Sequence, residues 1–249
     1  KSQLLYADEI EEYSPEEDVP DYAVNLFFTA EGYFKKITPL SLRMSGEQKL
    51  KENDQIIQQI EATNNTELLF FTDQCQVYKT RASEFSDTKA SVLGDYIPAK
   101  LGMDEGENAV YMAVTGDYAG FMLFVFENGK MAKVEMSSYA TKTNRKKLIG
   151  AYSDKSPLAA ALYVPEDCEL LLTSSAGRLL LFHTGSVQRK SSRSTQGVAV
   201  MTLKRGQKVV KVQVYEEGML KKPDRYRKAV PALGAMPTPE ETLGEQMTL

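Results

Sequence analysis

Four times along the chain an apolar burst is followed by a short polar turn and then by a strand carrying Lys or Arg. The copies are Leu26-Phe27-Phe28-Thr29 before Gly32, Leu68-Leu69-Phe70-Phe71-Thr72 before Cys75, Phe121-Met122-Leu123-Phe124-Val125-Phe126 before Gly129, and Leu170-Leu171-Leu172-Thr173 before Gly177. Their turn positions lie 43, 54 and 48 residues apart, which is the period of propellers and solenoids. Asn128-Gly129 is a strong hairpin signal, because glycine takes a positive φ at little cost. Cys75 departs from that rule and predicts either a different turn or a left-handed residue costing about 1 to 2 kcal/mol.

The apolar runs do not alternate in and out, so both faces of those strands must be covered. Antiparallel hairpins usually leave one face wet. Small sheets set side by side remove the conflict, since each inner strand is then covered from both sides. Weaker strands are expected over 55–60, 109–114, 158–164 and 209–215. The expected fold is all-β and propeller-like, with about four hairpin blades of three or four strands. A helix over 47–60 is disfavoured by Asn53-Asp54. Beyond Gly218 the run Lys221-Lys222-Pro223-Asp224-Arg225-Tyr226-Arg227-Lys228 leads through Pro231, Pro237 and Pro239, and residues 218–249 read as an extended C-terminal tail.

The net charge of −4 hides an uneven distribution. Residues 1–20 hold seven acids against Lys1, and residues 238–249 hold three acids and no base; taking both away leaves 21–237 at +5. A basic repeat region with acidic, solvated ends suits a polyanionic partner better than the total does. No apolar run reaches 18 residues and no basic-then-apolar leader opens the sequence, so neither a membrane span nor a secretory signal is expected. Cys75 and Cys168 fit no metal-ligand spacing and favour a reducing compartment. Lys1 in the place of Met reads as the start of an excised fragment.

Catalytic chemistry finds little purchase. His183 is the only histidine, so triads, Cys-His pairs and multi-histidine metal sites would all depend on one strand residue. Gly106-Glu107-Asn108 and Lys204-Arg205-Gly206 lack phosphate-loop spacing. What recurs is positive charge past each turn. Lys36, Lys79 and Lys133 each lie four residues after it, Leu181 breaks the series, and Lys35, Arg81, Lys130 and Arg178 lie nearby. Such cations at one height predict a belt that follows a phosphate backbone without reading bases. Two loops add Lys142, Arg145, Lys146 and Lys147, and then Arg189, Lys190 and Arg193 among Ser191, Ser192 and Ser194. Lys204, Arg205, Lys208 and Lys211 continue the second cluster. On this expectation, charge reversal at Lys36, Lys79 and Lys133 weakens binding more than reversal at Lys1, Lys221 and Lys222.

The stretch from Asp21 to Lys36, Glu67-Leu68-Leu69-Phe70-Phe71-Thr72 followed by Val77-Tyr78-Lys79, and Gln196-Gly197-Val198-Ala199-Val200 before Gly206 resemble the C-terminal domain of the A subunits of bacterial type IIA topoisomerases. This is the family of DNA gyrase and topoisomerase IV, and the likeness covers roughly residues 21–217. It implies a β-pinwheel that binds and bends double-stranded DNA without sequence preference. It also implies a catalytic tyrosine upstream of this chain, a partner ATPase in the B subunit, no cofactor in this segment and a place at the bacterial nucleoid in the cytoplasm. Gyrase members carry an Arg-Gly-rich box after the first blade; here Ser41 to Lys51 keeps only Arg43, Gly46, Lys49 and Lys51 of that character. That departure makes the chain resemble topoisomerase IV, with relaxation and decatenation favoured over negative supercoiling. A propeller-like protein-interaction module, contacting partners through its acidic ends and Tyr13, Tyr96 and Tyr118, is the alternative.

Overall fold

The computed structural model describes residues 19–142 and 145–241. The acidic segment 1–18, with Tyr13, and the last acidic stretch 242–249 lie outside the described residues. Four small antiparallel sheets account for the named strands. The chain divides into two compact units, one built from 19–67 with 80–95 and the other from 68–79 with 96–241.

In the first unit, β1 (Ala23–Thr29) and β2 (Tyr33–Ile37) form a hairpin. β3 (Ile56–Thr63) pairs with the free edge of β1, and β6 (Asp95–Tyr96) lies beside β2. Phe27, Ile37 and Ala90 form its apolar cluster with Leu42 and Ile56. Phe34 and Phe85 pack with ring centroids 4.5 Å apart. Between β2 and β3 the sequence makes a short helix, α1 (Pro39–Met44), where no helix is expected. Thr38 caps it by accepting from the Ser41 N–H, and Pro39 presets the first helical φ.

The second unit repeats the plan. β4 (Glu67–Thr72) and β5 (Val77–Arg81) are flanked by β7 (Ala109–Thr115) and β10 (Lys147–Leu148), with the single-turn helix α2 (Ile97–Lys100) preceding β7. β8 (Phe121–Phe126) and β9 (Lys130–Glu135) are flanked by β11 (Leu158–Val164) and β14 (Val198–Ala199). β12 (Glu169–Ser174) and β13 (Leu179–His183) are joined by β15 (Val209–Val214). The weaker strands therefore exist near their expected bounds, and each pairs with the hairpin before it. In the first three sheets the fourth strand returns from beyond the next hairpin, which no local sequence signal announces.

The continuous apolar run of β8 has the predicted cause. Met122, Phe124 and Phe126 pack with Leu69, Phe71 and Val77 of the second sheet, while Leu123 and Val125 pack with Leu170, Leu172, Leu180 and Phe182 of the fourth. Each such side chain leaving water contributes about 1.5 to 3 kcal/mol, so a strand with both faces covered keeps no polar side. The turns also follow expectation. Gly32, Gly129 and Gly177 have φ of 93°, 86° and 82°, and Cys75 adopts the same left-handed region at 56°.

Residues 218–241 are not an extended tail. Leu220 and Tyr226 are buried with Leu171 and Leu181 on the outer face of the fourth sheet. The short helix α3 (Pro223–Tyr226) delivers Tyr226 there. The buried Glu241 carboxylate accepts from the Lys221 and Lys222 N–H groups. Proline and charge alone resemble a linker; the apolar pair Leu220 and Tyr226 inside the basic run is the signal that it docks.

Candidate nucleic-acid interface

The lysines that align on the turns do not form a surface belt. Lys35, Lys36 and Lys133 are 1%, 3% and 4% exposed. Lys35 Nζ donates to the carbonyls of Lys49, Ala90 and Val92 at 3.2, 3.1 and 2.9 Å, and its burial lowers its pKa. Lys36 Nζ donates to Asn64 Oδ1 at 2.7 Å and the Ala82 carbonyl at 3.0 Å, with Asp87 at 3.3 Å. Lys133 Nζ meets Asp167 at 2.6 Å and the carbonyls of Thr184 and Val187 at 3.3 Å. Half-buried Lys79 donates to the Tyr139 carbonyl at 2.9 Å and Thr141 Oγ1 at 3.0 Å. Ala82, Tyr139 and Thr184 belong to 3-10 turns that follow β5, β9 and β13. The shared register thus marks a structural tie: a strand lysine gives a donor to the carbonyls of a short turn, of which Ala82 and Thr184 also accept from the Phe85 and Val187 N–H groups. Removing it from water is offset only by these partners.

Several of the remaining predicted cations are also engaged. Arg81 donates to the Asn65 carbonyl and lies 3.4 Å from Glu67. Arg178 donates to the Gly234 carbonyl and Arg193 to the Ser138 carbonyl. Lys130 is half-buried at the start of β9. The Asp167 carboxyl that serves Lys133 is pushed up by partial burial, but hydrogen bonds from Lys133 and Thr184 outweigh this and hold it below its ordinary value.

Exposed charge gathers instead on the segments that return to each hairpin. Arg145, Lys146 and Lys147 lead into β10 and are exposed, with Lys147 paired at 3.4 Å to Asp104. Arg189 and Lys190 are exposed beside β9, where Lys190 bridges Val134 in parallel and Arg189 meets Glu135 at 3.4 Å. Lys204 and Arg205 sit on the turn before β15, with Lys208 and Lys211 beyond it, all exposed. In the other unit the box-like stretch is open: Arg43, Gly46, Lys49 and Lys51 are exposed, Arg43 in the last turn of α1 and Lys51 over the Tyr33 ring at 5.3 Å. The sequence assigns Arg225, Arg227 and Lys228 to a linker, yet Arg227 and Lys228 lie against β13 and the Arg225 guanidinium donates to the Met236 carbonyl.

His183 is exposed at the end of β13, its Nδ1 accepting from the Gly185 N–H at 3.1 Å. Burial raises the pKa of both free thiols, Cys75 and Cys168, which disfavours the reactive thiolate. Among the described residues no group of three or more His, Cys, Asp or Glu could hold a metal, and no helix is long and apolar enough to cross a membrane. A cleft of about 1190 Å³, lined by Asp73, Cys75, Tyr152, Asp154 and Lys155 among others, carries no concentration of cations.

Hairpin sheets of this kind, three of the four completed by a strand from beyond the next hairpin, define a β-pinwheel of the propeller class. The profile of the family described as DNA gyrase C-terminal domain, beta-propeller, matches residues 66–91 and 169–216. The chain is similar to the C-terminal domain found in the A subunits of DNA gyrase and topoisomerase IV. The A subunit of DNA gyrase from Borreliella burgdorferi is 21% identical over 226 residues, covering 87% of this chain and 28% of the relative. That of Nocardioides sp. is 26% identical over 230 residues, covering 86% and 24%. The chain therefore spans about a quarter of the length of the curated relatives it matches. The solved C-terminal domain of DNA topoisomerase IV superposes with a TM-score of 0.68 at 25% identity, over 80% of this chain and 63% of that one. The E. coli ParC C-terminal domain shares the fold, with a TM-score of 0.58 at 15% identity over 77% and 79%.

Proposed function

We propose that this chain is a non-catalytic module that binds and bends double-stranded DNA without reading its sequence. It presents a DNA segment to the catalytic core of a type IIA topoisomerase, which works with a separate ATPase, the B subunit, in the bacterial cytoplasm. The observation that carries the reading is the exposure of the cations on return segments, Arg145, Lys146, Arg189 and Lys190, and of Lys204 and Arg205 on the turn before β15. Cations without base-reading geometry contact phosphate, and the affinity they supply comes from released counterions. The sparse box, with only Arg43, Gly46, Lys49 and Lys51, supports relaxation and decatenation over negative supercoiling.

Titrating duplex DNA at salt concentrations between about 50 and 200 mM tests the reading, since each phosphate neutralised adds about 0.9 to the slope of log affinity against log salt. A steep, sequence-independent decline is expected. Salt-indifferent binding, or capture of a protein partner with no retention of duplex, refutes it. Ligating nicked circles with the domain bound should shift the linking number little; a large shift would overturn the topoisomerase IV-like assignment alone.

A further inference from the structure

The fourth sheet has three named strands where the others have four, yet its fourth place is filled. In the third sheet Lys190 bridges Val134 in parallel, and eight residues later Val198 pairs with Met131 antiparallel. In the fourth, Arg227 bridges Leu181 in parallel, and eight residues later Ala235 pairs with Leu179 antiparallel. Both backbone ties are well made: the Lys228 N–H donates to Leu181 at 3.0 Å, and the Leu179 and Ala235 amides exchange hydrogen bonds at 2.8 and 2.9 Å. The segment is fixed by the fully buried Tyr226 ring, whose hydroxyl accepts from the Thr238 N–H at 3.1 Å. Its charge repeats too. Arg189 beside Glu135 corresponds to Arg227, which lies 2.7 Å from Glu169. The Lys190 N–H donates to the Lys133 carbonyl as the Lys228 N–H donates to that of Leu181, so Lys228 takes the place of Lys190, while Arg225, three residues before it, donates to the Met236 carbonyl at 3.1 Å.

We propose that residues 219–241 act as the return segment of the fourth sheet and that Arg225 and Lys228, held there by docked Tyr226, form a further contact for duplex phosphate. The proposal rests on the DNA-binding reading above. It assigns the contact to a segment that follows β15 directly, with no hairpin between. Docking holds Lys228 in the same relation to the fourth hairpin that Lys190 has to the third, with Arg225 three residues before it.

Duplex DNA binding across salt concentrations, measured on the whole chain, tests it. Arg225→Gln with Lys228→Gln should weaken binding about tenfold and make the salt slope shallower by roughly 2. Tyr226→Ala removes no charge, yet should lower the slope in the same direction while the Lys228 and Ala235 amides exchange faster with solvent. The proposal is overturned if the double variant binds like the parent. It is equally overturned if Tyr226→Ala frees those amides and leaves the slope unchanged, since the cations then act from a loose chain. Arg145→Gln with Lys190→Gln separates the two levels. If that pair weakens binding and the Arg225/Lys228 pair does not, only this inference fails; if neither does, the DNA-binding reading fails with it.

Discussion

The third and fourth hairpins have the same glycine turn slot and the same apolar approach, but four residues past the turn one carries Lys133 and the other Leu181. Both side chains are buried. Lys133 ends among the Thr184 and Val187 carbonyls and Asp167, whereas Leu181 ends against Leu171, Leu220 and Tyr226. The residue at this place is set by what covers it. A 3-10 turn whose buried carbonyls can accept a further donor calls for a cation, and an apolar docking segment calls for leucine. What the sequence displays as a broken charge pattern is one packing position in two surroundings.

Breaking the polar version should have the largest effect. Lys133→Ala takes from the Val187 carbonyl its lysine donor, and from Asp167 and the Thr184 carbonyl one of two donors each, and is expected to lower unfolding free energy by about 4 kcal/mol in denaturant titration. A loss within experimental error would show that the tie is dispensable. The converse change, Leu181→Lys, puts an ammonium beneath Tyr226 with no acceptor supplied; a cost of about 3 kcal/mol, with faster amide exchange at Lys228, is expected.

The turns sharpen the same comparison. A Cβ at Gly129 would lie 2.1 Å from the Met201 carbonyl oxygen, while one at Gly177 meets only Met236 Cε at 3.8 Å. Gly129→Ala should therefore cost about 2 kcal/mol or more and Gly177→Ala about 1 kcal/mol, the latter from the positive φ alone. Equal thermal shifts would contradict that ordering.

The smallest effect concerns pH. Asp167 titrates below its ordinary 3.8 when folded, so its contribution to stability is complete above that value and is lost as pH falls through the depressed folded value. With the carboxylate about a third exposed, Asp167→Asn is expected to cost only about 1 kcal/mol near neutrality. Melting curves of parent and variant should converge on acidification below pH 3.8. A constant gap would mean that the carboxylate charge is not the source.

The sequence alone determined the four hairpins, their turn conformations and the all-β class. These follow from local chemistry: glycine at positive φ, apolar runs long enough to need cover on both faces, and a period that repeats them. Cys75 at φ 56° shows how far that local logic reaches, since the turn geometry holds even where the residue disfavours it. The basic loops at 145–147 and 189–190 were legible for the same reason, being charged segments with no apolar anchor.

Only the tertiary structure decided which cations reach solvent. Lys36 and Arg145 look alike in a sequence, because a lysine stem packs as well in a core as on a surface when carbonyls wait at its end. Those carbonyls come from turns 46 residues away for Lys36 and 51 for Lys133, beyond any local pattern. The docking of 219–241 was hidden likewise: Tyr226 is buried by Leu171 and Leu181, whose face is apolar only once the fourth sheet exists to present it.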